Sequence, residues 1–283
     1  MFNFLANIFG YILNVIYNVV NNYGAAIIIF TIILKLAMLP ISIKQQKTLK
    51  KSAKLQVKVK EIQEKYSNDQ VRQSQEMMDL YKKENMSPFS GCLTSIVQII
   101  IVISVFYLVS KPLTYMKHVD QELLNSYSTE ISDSSGELLR YPEISIIKEK
   151  GYLDEKVNLN MNFLGLDLSD VPTQNYKDPR VYIIPGLYVI TSIISTKLTT
   201  SLNKKSKKEN TIKEEDKPKE KEQDAMEEMN RQMTIMMPVM AVSIALIAPL
   251  GLALYWLVSN ILMIVERLVI NNLVKDEEEE SNG

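Results

Sequence analysis

The stretch GAAIIIFTIILKLAMLPISIKQQ, residues 24–46, decides how the whole chain is interpreted. Its apolar run is long enough to cross a bilayer, because about 20 apolar residues span the hydrocarbon core. One lysine, Lys35, interrupts the run near its middle. In a helix it would lie about 13 Å deeper than Lys44. Because a charge at the bilayer centre costs roughly 2.5–3.5 kcal/mol on insertion scales, Lys35 is a candidate functional residue.

Four further apolar runs follow, and together the five predict an all-α polytopic membrane protein. Of the 283 residues, 46% are hydrophobic and 23% are charged, and the two classes are segregated into alternating runs. The third and fourth runs are slightly short for a full crossing, which local thinning of the bilayer accommodates. The predicted transmembrane helices are residues 23–43, 89–110, 181–198, 232–248 and 252–273.

The first 22 residues form a separate amphipathic element. Apolar residues and asparagines each recur every three or four positions, which predicts a helix with an apolar face and an asparagine stripe. No lysine or arginine precedes the apolar residues, so a cleaved signal peptide is not expected. We interpret residues 1–22 as a helix in the outer membrane–water interface, with an additional spanning helix as the alternative.

The lysine and arginine counts of the connecting segments predict the orientation. Residues 44–88 carry 11 of these cations and residues 199–231 carry 9, whereas the longer segment 111–180 carries only 8. The first two segments are therefore expected in the cytoplasm, and residues 111–180 form an extracytoplasmic loop. The N-terminal segment then lies outside, and the acidic tail, residues 274–283, lies in the cytoplasm.

Residues 44–88 are expected to form a cytoplasmic helical hairpin. The tripeptide SND, residues 67–69, is a turn and N-cap signal between two patchy apolar patterns. The hairpin is basic and contains methionines, which adapt to varied apolar ligands. It could bind anionic lipid, or capture a partner or a nascent chain, and the two roles are compatible. The candidate capture residues are Met77, Met78, Leu80 and Tyr81.

Four motifs in this order resemble the YidC/Oxa/Albino-type membrane protein insertase family. They are IILKLAMLPISIKQQ (32–46), LYKKENMSPFSGCLTSIVQ (80–98), FLGLDLSD (163–170) and APLGLALYWLVSN (248–260). The resemblance covers about residues 23–272, apart from most of the outer loop and the charged cytoplasmic loop. It implies five core helices, a cytoplasmic hairpin after the first helix and an outer amphipathic helix before it.

The resemblance also gives Lys35 a role. The family carries a positive residue, usually arginine, five residues before a proline, and Lys35 precedes Pro40 at that spacing. It implies a hydrophilic groove that is open to the cytoplasm and lipid and closed to the outside. Lysine loses its charge on burial more readily than arginine, so this role requires a hydrated groove. The expected groove residues are Lys35, Thr31, Gln98, Trp256 and Ser259, and the expected slide for the substrate is Ile101, Val105, Phe106, Met240 and Ile244.

The function implied is that of an insertase and chaperone for newly made membrane proteins in the bacterial cell membrane. Nascent membrane proteins and the lipid bilayer are the expected partners, with the ribosome and the Sec translocon as further candidates; no nucleic-acid binding is predicted. Two alternatives remain, a non-translocating assembly scaffold and a small-anion transporter or channel in which Lys35 binds the anion. The groove polar residues could instead be helix-packing contacts.

Enzyme chemistry finds no support in the sequence. Phosphate-loop, nucleophile-elbow and zinc-protease motifs are missing. The single cysteine, Cys92, and the single histidine, His118, exclude an internal disulfide framework and a cysteine or histidine metal cluster within one chain. We therefore expect neither catalysis nor a cofactor.

Overall fold

The computed structural model describes residues 2–84, 90–136, 138–210 and 243–282, which are mostly helical. The helices are α1 (Phe2–Val20), α2 (Tyr23–Lys65), α3 (Gln70–Lys83), α4 (Ser90–Ser110), α5 (Pro112–Tyr115), α6 (Gln121–Ser135), α7 (Pro142–Lys150), α8 (Ile183–Asn210) and α9 (Leu250–Asn282). Two short antiparallel strands, β1 (Asn162–Phe163) and β2 (Leu166–Asp167), form a hairpin. A 3₁₀ turn, Pro179–Tyr182, precedes α8, and residues 243–247 are helical as well.

The predicted fold class, an all-α polytopic membrane protein, is confirmed. Four stretches in the described residues are long and apolar enough to cross a membrane: Phe2–Val20, Tyr23–Thr48, Pro179–Leu198 and Leu250–Ile270. The predicted second span contains a shorter apolar stretch, Ile99–Ser110. Most of the predicted fourth span, residues 232–248, lies outside the described residues. The length of α1 is compatible with both interpretations of residues 1–22.

The first predicted span and the first arm of the hairpin are one helix. We expected a span that ends at residue 43 and a separate cytoplasmic helix, but α2 runs without interruption from Tyr23 to Lys65. Residues 43–51 contain neither glycine nor proline, so nothing in the sequence stops the helix there. Pro40 lies inside α2, where the missing N–H removes a single backbone hydrogen bond.

The described residues divide into two compact units. The first contains residues 2–36, 100–136, 138–196 and 243–264, and the second contains residues 37–84, 90–99, 197–210 and 265–282. The first unit holds the hydrophobic core. Fully buried side chains come from α1, α2, α4 and α9, and from residues 111–180, which the sequence predicts outside and which are called here the outer segment. Among them are Leu13, Ile27, Leu108, Met116, Leu168 and Leu250.

Helix α1 packs closely against α5. A Cβ atom on Gly10 would lie 1.9 Å from the backbone oxygen of Tyr115, so only glycine allows this approach. The Tyr115 hydroxyl donates to Asn3 Oδ1 at 3.2 Å. The rings of Phe9 and Phe30 meet edge to face, with centroids 5.8 Å apart. The N-terminal helix is therefore fixed to both α5 and α2 within the first unit.

A buried glutamate on α7 caps the short helix α5. Glu143 Oε2 accepts from the backbone N–H groups of Leu113 (2.7 Å) and Thr114 (3.0 Å), and Oε1 accepts from Thr114 Oγ1 at 2.6 Å. Burial raises the pKa of the Glu143 carboxyl, although these hydrogen bonds favour its ionised form. Residues 111–162, for which the sequence motifs gave no fold, are thus folded around their own polar contacts.

Two of the four motifs meet at the start of α9. The N–H of Leu250 donates to the carbonyl of Asp170, and that of Gly251 donates to Leu168, both at 2.9 Å. The Asp170 carboxylate forms an ion pair with Lys148 of α7 at 2.5 Å. The FLGLDLSD and APLGLALYWLVSN segments are therefore joined by main-chain hydrogen bonds.

The buried hydroxyl of Tyr23 leads to a first prediction. It has no hydrogen-bond partner in the part of the chain that the structure describes. Burying a hydroxyl without a partner costs about 1–3 kcal/mol, so Tyr23→Phe is expected to leave the free energy of unfolding unchanged or to raise it by about 1 kcal/mol. The measurement is thermal unfolding in one detergent. The control is Tyr115→Phe, which loses the bond to Asn3 and should lower stability. A Tyr23→Phe protein less stable than the control would contradict the prediction.

Candidate functional site

Lys35 lies on an apolar face of α2. Its side chain is half-buried, and the neighbouring Ile32, Ile33 and Leu36 are exposed. Exposed isoleucine and leucine on a spanning helix are suited to contact with lipid. A cation is therefore placed among side chains that favour an apolar environment, and its role in a hydrated groove stays a prediction.

Thr31 and Gln98 are the two residues expected to hydrate the groove near Lys35, and the structure describes only the Thr31 side chain. Thr31 is only 1% exposed, and its hydroxyl donates to the Ile27 carbonyl at 2.6 Å. It can therefore only accept a further hydrogen bond. Gln98 belongs to α4 in the second unit, and its side chain lies outside the described part. The roles of both residues in a groove stay predictions.

Trp256 and Ser259 lie on α9. The half-buried ring of Trp256 lies 6.3 Å from the ring of Tyr188 on α8. One turn later the buried Asn260 donates through Nδ2 to Thr191 Oγ1 at 3.2 Å. These two contacts form a seam between α8 and α9. Trp256 therefore serves helix packing here, and its groove role stays a prediction.

The Asn260–Thr191 hydrogen bond was missed from the sequence. Asn260 closes the motif LYWLVSN, and Thr191 lies in an apolar run. A buried amide in a spanning helix is itself a signal, because such groups form hydrogen bonds to neighbouring helices. That signal does not identify the partner.

The residues expected to form the slide are unequally accessible. Ile101, Phe106 and Ile244 are half-buried and pack against the core. Val105 is 0% exposed, so a passing chain could reach it only if its neighbours moved. Val105 is therefore not part of an accessible surface in this structure. Met240 lies outside the described residues. Val102, one helical turn before Phe106, is exposed and was not selected from the sequence.

The predicted hairpin turn and N-cap are present in the second unit. Residues 66–68 form the turn, and Asp69 Oδ1 accepts from the N–H of Arg72 at 3.0 Å. At the other end, Glu84 Oε1 accepts from Lys58 Nζ at 2.7 Å, and the Glu84 carbonyl accepts from Lys51 Nζ at 2.6 Å. Side-chain hydrogen bonds thus join α3 to the last part of α2.

The capture residues predicted on α3 occupy two faces. Met77, Leu80 and Tyr81 are half-buried. Met78 is 57% exposed, and Val71, two turns earlier, is 71% exposed. Residues seven apart share a helix face, so Val71 and Met78 form one exposed apolar pair, called here the capture face. Val71 belongs to the apolar pattern that predicts this helix, but it was not selected from the sequence as a capture residue.

Closure of the hairpin is expected to depend on pH. The hydrogen bond from Lys58 holds the pKa of Glu84 below its ordinary value of 4.5. Its stabilising contribution is therefore present above about pH 4.5 and is lost as the pH falls through the lowered pKa. Hydrogen exchange of residues 70–84, corrected for the intrinsic effect of pH, should accelerate below pH 4.5. In Glu84→Gln, exchange of these residues should already be fast above pH 4.5. The further acceleration below pH 4.5 should be smaller than in the native protein. An equal acceleration below pH 4.5 in both proteins would show that the Lys58–Glu84 pair does not close the hairpin.

The comparisons with known proteins point in one direction. Residues 15–278 match the family described as 60Kd inner membrane protein. The chain is 27% identical over 264 residues to a membrane protein insertase YidC of Citrifermentans bemidjiense, which covers 93% of this chain and 36% of the relative. It is 30% identical over 258 residues to that of Geobacter metallireducens, covering 91% and 35%. A segment of 103 residues is 47% identical to that of Syntrophus aciditrophicus, covering 36% and 18%. The chain spans about a third of the length of the first two relatives.

Proposed function

The chain belongs to the 60Kd inner membrane protein family, and from this membership we propose that it inserts newly made membrane proteins into the bilayer. Its relatives are bacterial proteins named as membrane protein insertases, and its own helices are those of a multi-pass membrane protein. The proposed partners are nascent membrane proteins and lipid. The distribution of lysine and arginine supports an N-terminal segment outside and a C-terminal segment in the cytoplasm.

The observation that carries the proposal is Lys35, a half-buried cation on a helix face whose neighbours are apolar. Such a residue is costly in lipid and is of use where a polar segment must be drawn into the membrane. In the proposed mechanism, a short hydrophilic and often acidic segment of the substrate enters a hydrated groove at Lys35. Attraction to the cation offsets part of the cost of removing the segment from bulk water.

Capture precedes this step in the proposed sequence of events. Met78 and Val71 of the capture face are exposed, and the nearby Arg72 and Lys82 are exposed cations. The charge distribution of the sequence favours a cytoplasmic location for this face. Methionine is flexible and polarisable, so it can contact apolar segments of different shape. The hairpin would therefore bind substrates by their apolar character and not by a fixed motif.

Release into lipid requires no catalytic step. The apolar part of the substrate would move along the half-buried side chains of Ile101, Phe106 and Ile244, with the exposed Val102 beside them. Burial of apolar surface contributes about 25 cal/mol per Å². A helix of about 20 apolar residues therefore supplies more free energy than the transfer of a short polar tail consumes.

A crosslinking prediction follows from the two faces of α3. A photoreactive residue at position 78 or 71 is expected to crosslink a stalled nascent membrane protein several times more strongly than one at position 77, which is half-buried. The reason is direct access to the solvent. The measurement is the yield of substrate-containing adduct in membranes. Adducts with lipid alone at positions 71 and 78 would refute the capture role.

One reconstitution separates the proposed function from its two alternatives. The purified protein is placed in liposomes with a single-span substrate, and insertion is measured by protease protection. An insertase yields a protected fragment that requires the protein. A scaffold binds the substrate without protecting it, and an anion transporter shows salt-dependent anion flux without protection. The absence of a protected fragment would refute the proposal.

A further inference from the structure

The turn between the two strands contains a leucine in an unusual place. Leu164 has φ 51° and the following Gly165 has φ 80°, so both central residues lie in the left-handed region, as in a type I′ hairpin turn. Asparagine or glycine is favoured there, and leucine is strained. The Leu164 side chain is also 87% exposed. Neither the conformation of the turn nor packing in the hydrophobic core explains why a leucine occupies position 164.

The turn is attached to the outer end of α2. The Phe163 side chain packs so closely on Gly24 that a Cβ there would lie 2.5 Å from its ring. Asn22 Nδ2 donates to the Asn162 carbonyl at 2.7 Å, and the Tyr23 N–H donates to Asn160 at 3.0 Å. The apolar stretch of α2 begins at Tyr23. The hairpin is therefore held at the level where this helix emerges from the bilayer.

Other exposed apolar side chains occur at the ends of apolar helices in the same unit. Val19 is the penultimate residue of α1, and Tyr182 directly precedes α8; both are exposed. At a membrane surface such side chains contact the boundary between headgroups and acyl chains. The exposed face of α6 is different, because Glu122, Asn125, Ser126, Thr129, Glu130 and Asp133 line a polar concavity.

We propose that Leu164 is a membrane anchor that inserts into the outer leaflet and holds the β-hairpin, and with it the outer segment, against phospholipid. The place of the hairpin at the start of the apolar stretch of α2 favours lipid over a protein partner. The proposal rests on the outer location assigned to residues 111–180. It does not require insertase activity, so it can fail or hold independently of that function.

The test measures contact with lipid directly. Leu164→Cys, in a chain whose native thiol is removed by Cys92→Ser, is labelled with a polarity-sensitive fluorophore and placed in phosphatidylcholine–phosphatidylglycerol nanodiscs. Thr129→Cys on the polar face of α6 is the matched control. We expect blue-shifted emission at position 164 and several-fold stronger quenching by spin-labelled lipid than at position 129. Equal, water-like signals would overturn the proposal. A blue shift without lipid quenching would also overturn it, because the side chain would then contact protein.

A second variant separates the side chain from the turn. Leu164→Asn places the favoured residue before Gly165, so it preserves the hairpin while removing the apolar group. If Leu164 is a lipid anchor, amide hydrogen exchange of residues 162–167 in nanodiscs should become faster. If the residue matters only to the turn, exchange should slow or stay unchanged, and either result would contradict the proposal.

Discussion

Lys35→Ala is expected to reduce insertion of a substrate with an acidic translocated tail about tenfold, whereas Lys35→Arg retains it. Opposite charges about 4 Å apart at a partly hydrated site attract by roughly 4 kcal/mol, and part of this is offset by desolvation. A remaining difference of about 1.4 kcal/mol corresponds to a factor of ten. Arginine supplies the same charge, so it should replace lysine in this role. The measurement is insertion in cells depleted of the native protein, with each variant supplied in its place.

Two controls make this experiment specific. Lys44→Ala removes a lysine from an exposed position on the same helix and should have little effect. A substrate whose tail carries no acidic residue should depend less on Lys35. Equal insertion of the acidic substrate by the native protein, Lys35→Ala and Lys35→Arg would contradict the proposed role of the charge.

Gly10→Ala is expected to lower the free energy of unfolding by about 2 kcal/mol. The added Cβ would lie 1.9 Å from the Tyr115 oxygen, so the backbones of α1 and α5 must separate. Overpacking of this kind costs about 3 kcal/mol at the upper end of its usual range. Alanine offsets up to about 1 kcal/mol of this cost, because its helix propensity is higher than that of glycine. Reversible unfolding in one detergent measures the difference.

Gly186→Ala is the matched control for this substitution. Gly186 lies in α8, and a Cβ there would meet nothing within 4 Å. The same chemical change should therefore stabilise the protein by up to about 1 kcal/mol. The two variants are expected to shift stability in opposite directions, and a Gly10→Ala protein as stable as Gly186→Ala would show that α1 does not depend on this contact.

The apolar helices could be predicted from the sequence because the lipid core requires long runs of apolar residues. A run of apolar residues such as 23–43 predicts a helix wherever it occurs. The end of such a helix is harder to predict, because it requires a stop signal that residues 43–51 do not contain. We therefore ended the helix with the hydrophobicity, whereas the backbone continues to Lys65.

The outer segment could not be predicted for a different reason. Its fold depends on contacts between residues far apart in sequence, such as Glu143 with Thr114. No local periodicity reports such a pair. The SND turn, in contrast, was predictable because Asp69 caps a backbone N–H only three residues later.

For the candidate site, too, the sequence predicted which residues to consider but not how accessible their side chains are. The role of Lys35 is assigned from the family resemblance at its spacing to Pro40, and it stays a prediction. The solvent accessibility of a side chain cannot be predicted from the spacing of residues in the sequence. Val105 and Phe106 are adjacent in the chain, yet only Phe106 retains an exposed fraction. Burial of a side chain is set by the neighbours of its helix, which a single sequence does not identify.

The main-chain bonds at the start of α9 also determine the order in which the molecule can be completed. The carbonyls of Leu168 and Asp170 receive their donors from residues synthesised about 80 positions later. At roughly 5–20 residues per second, a translating ribosome leaves these oxygens bonded to water for about 4–16 s. During that interval the outer segment has been made but lacks one side of its fold. The main-chain bonds of residues 168 and 170 to the start of α9 can therefore form only after α9 itself has been synthesised.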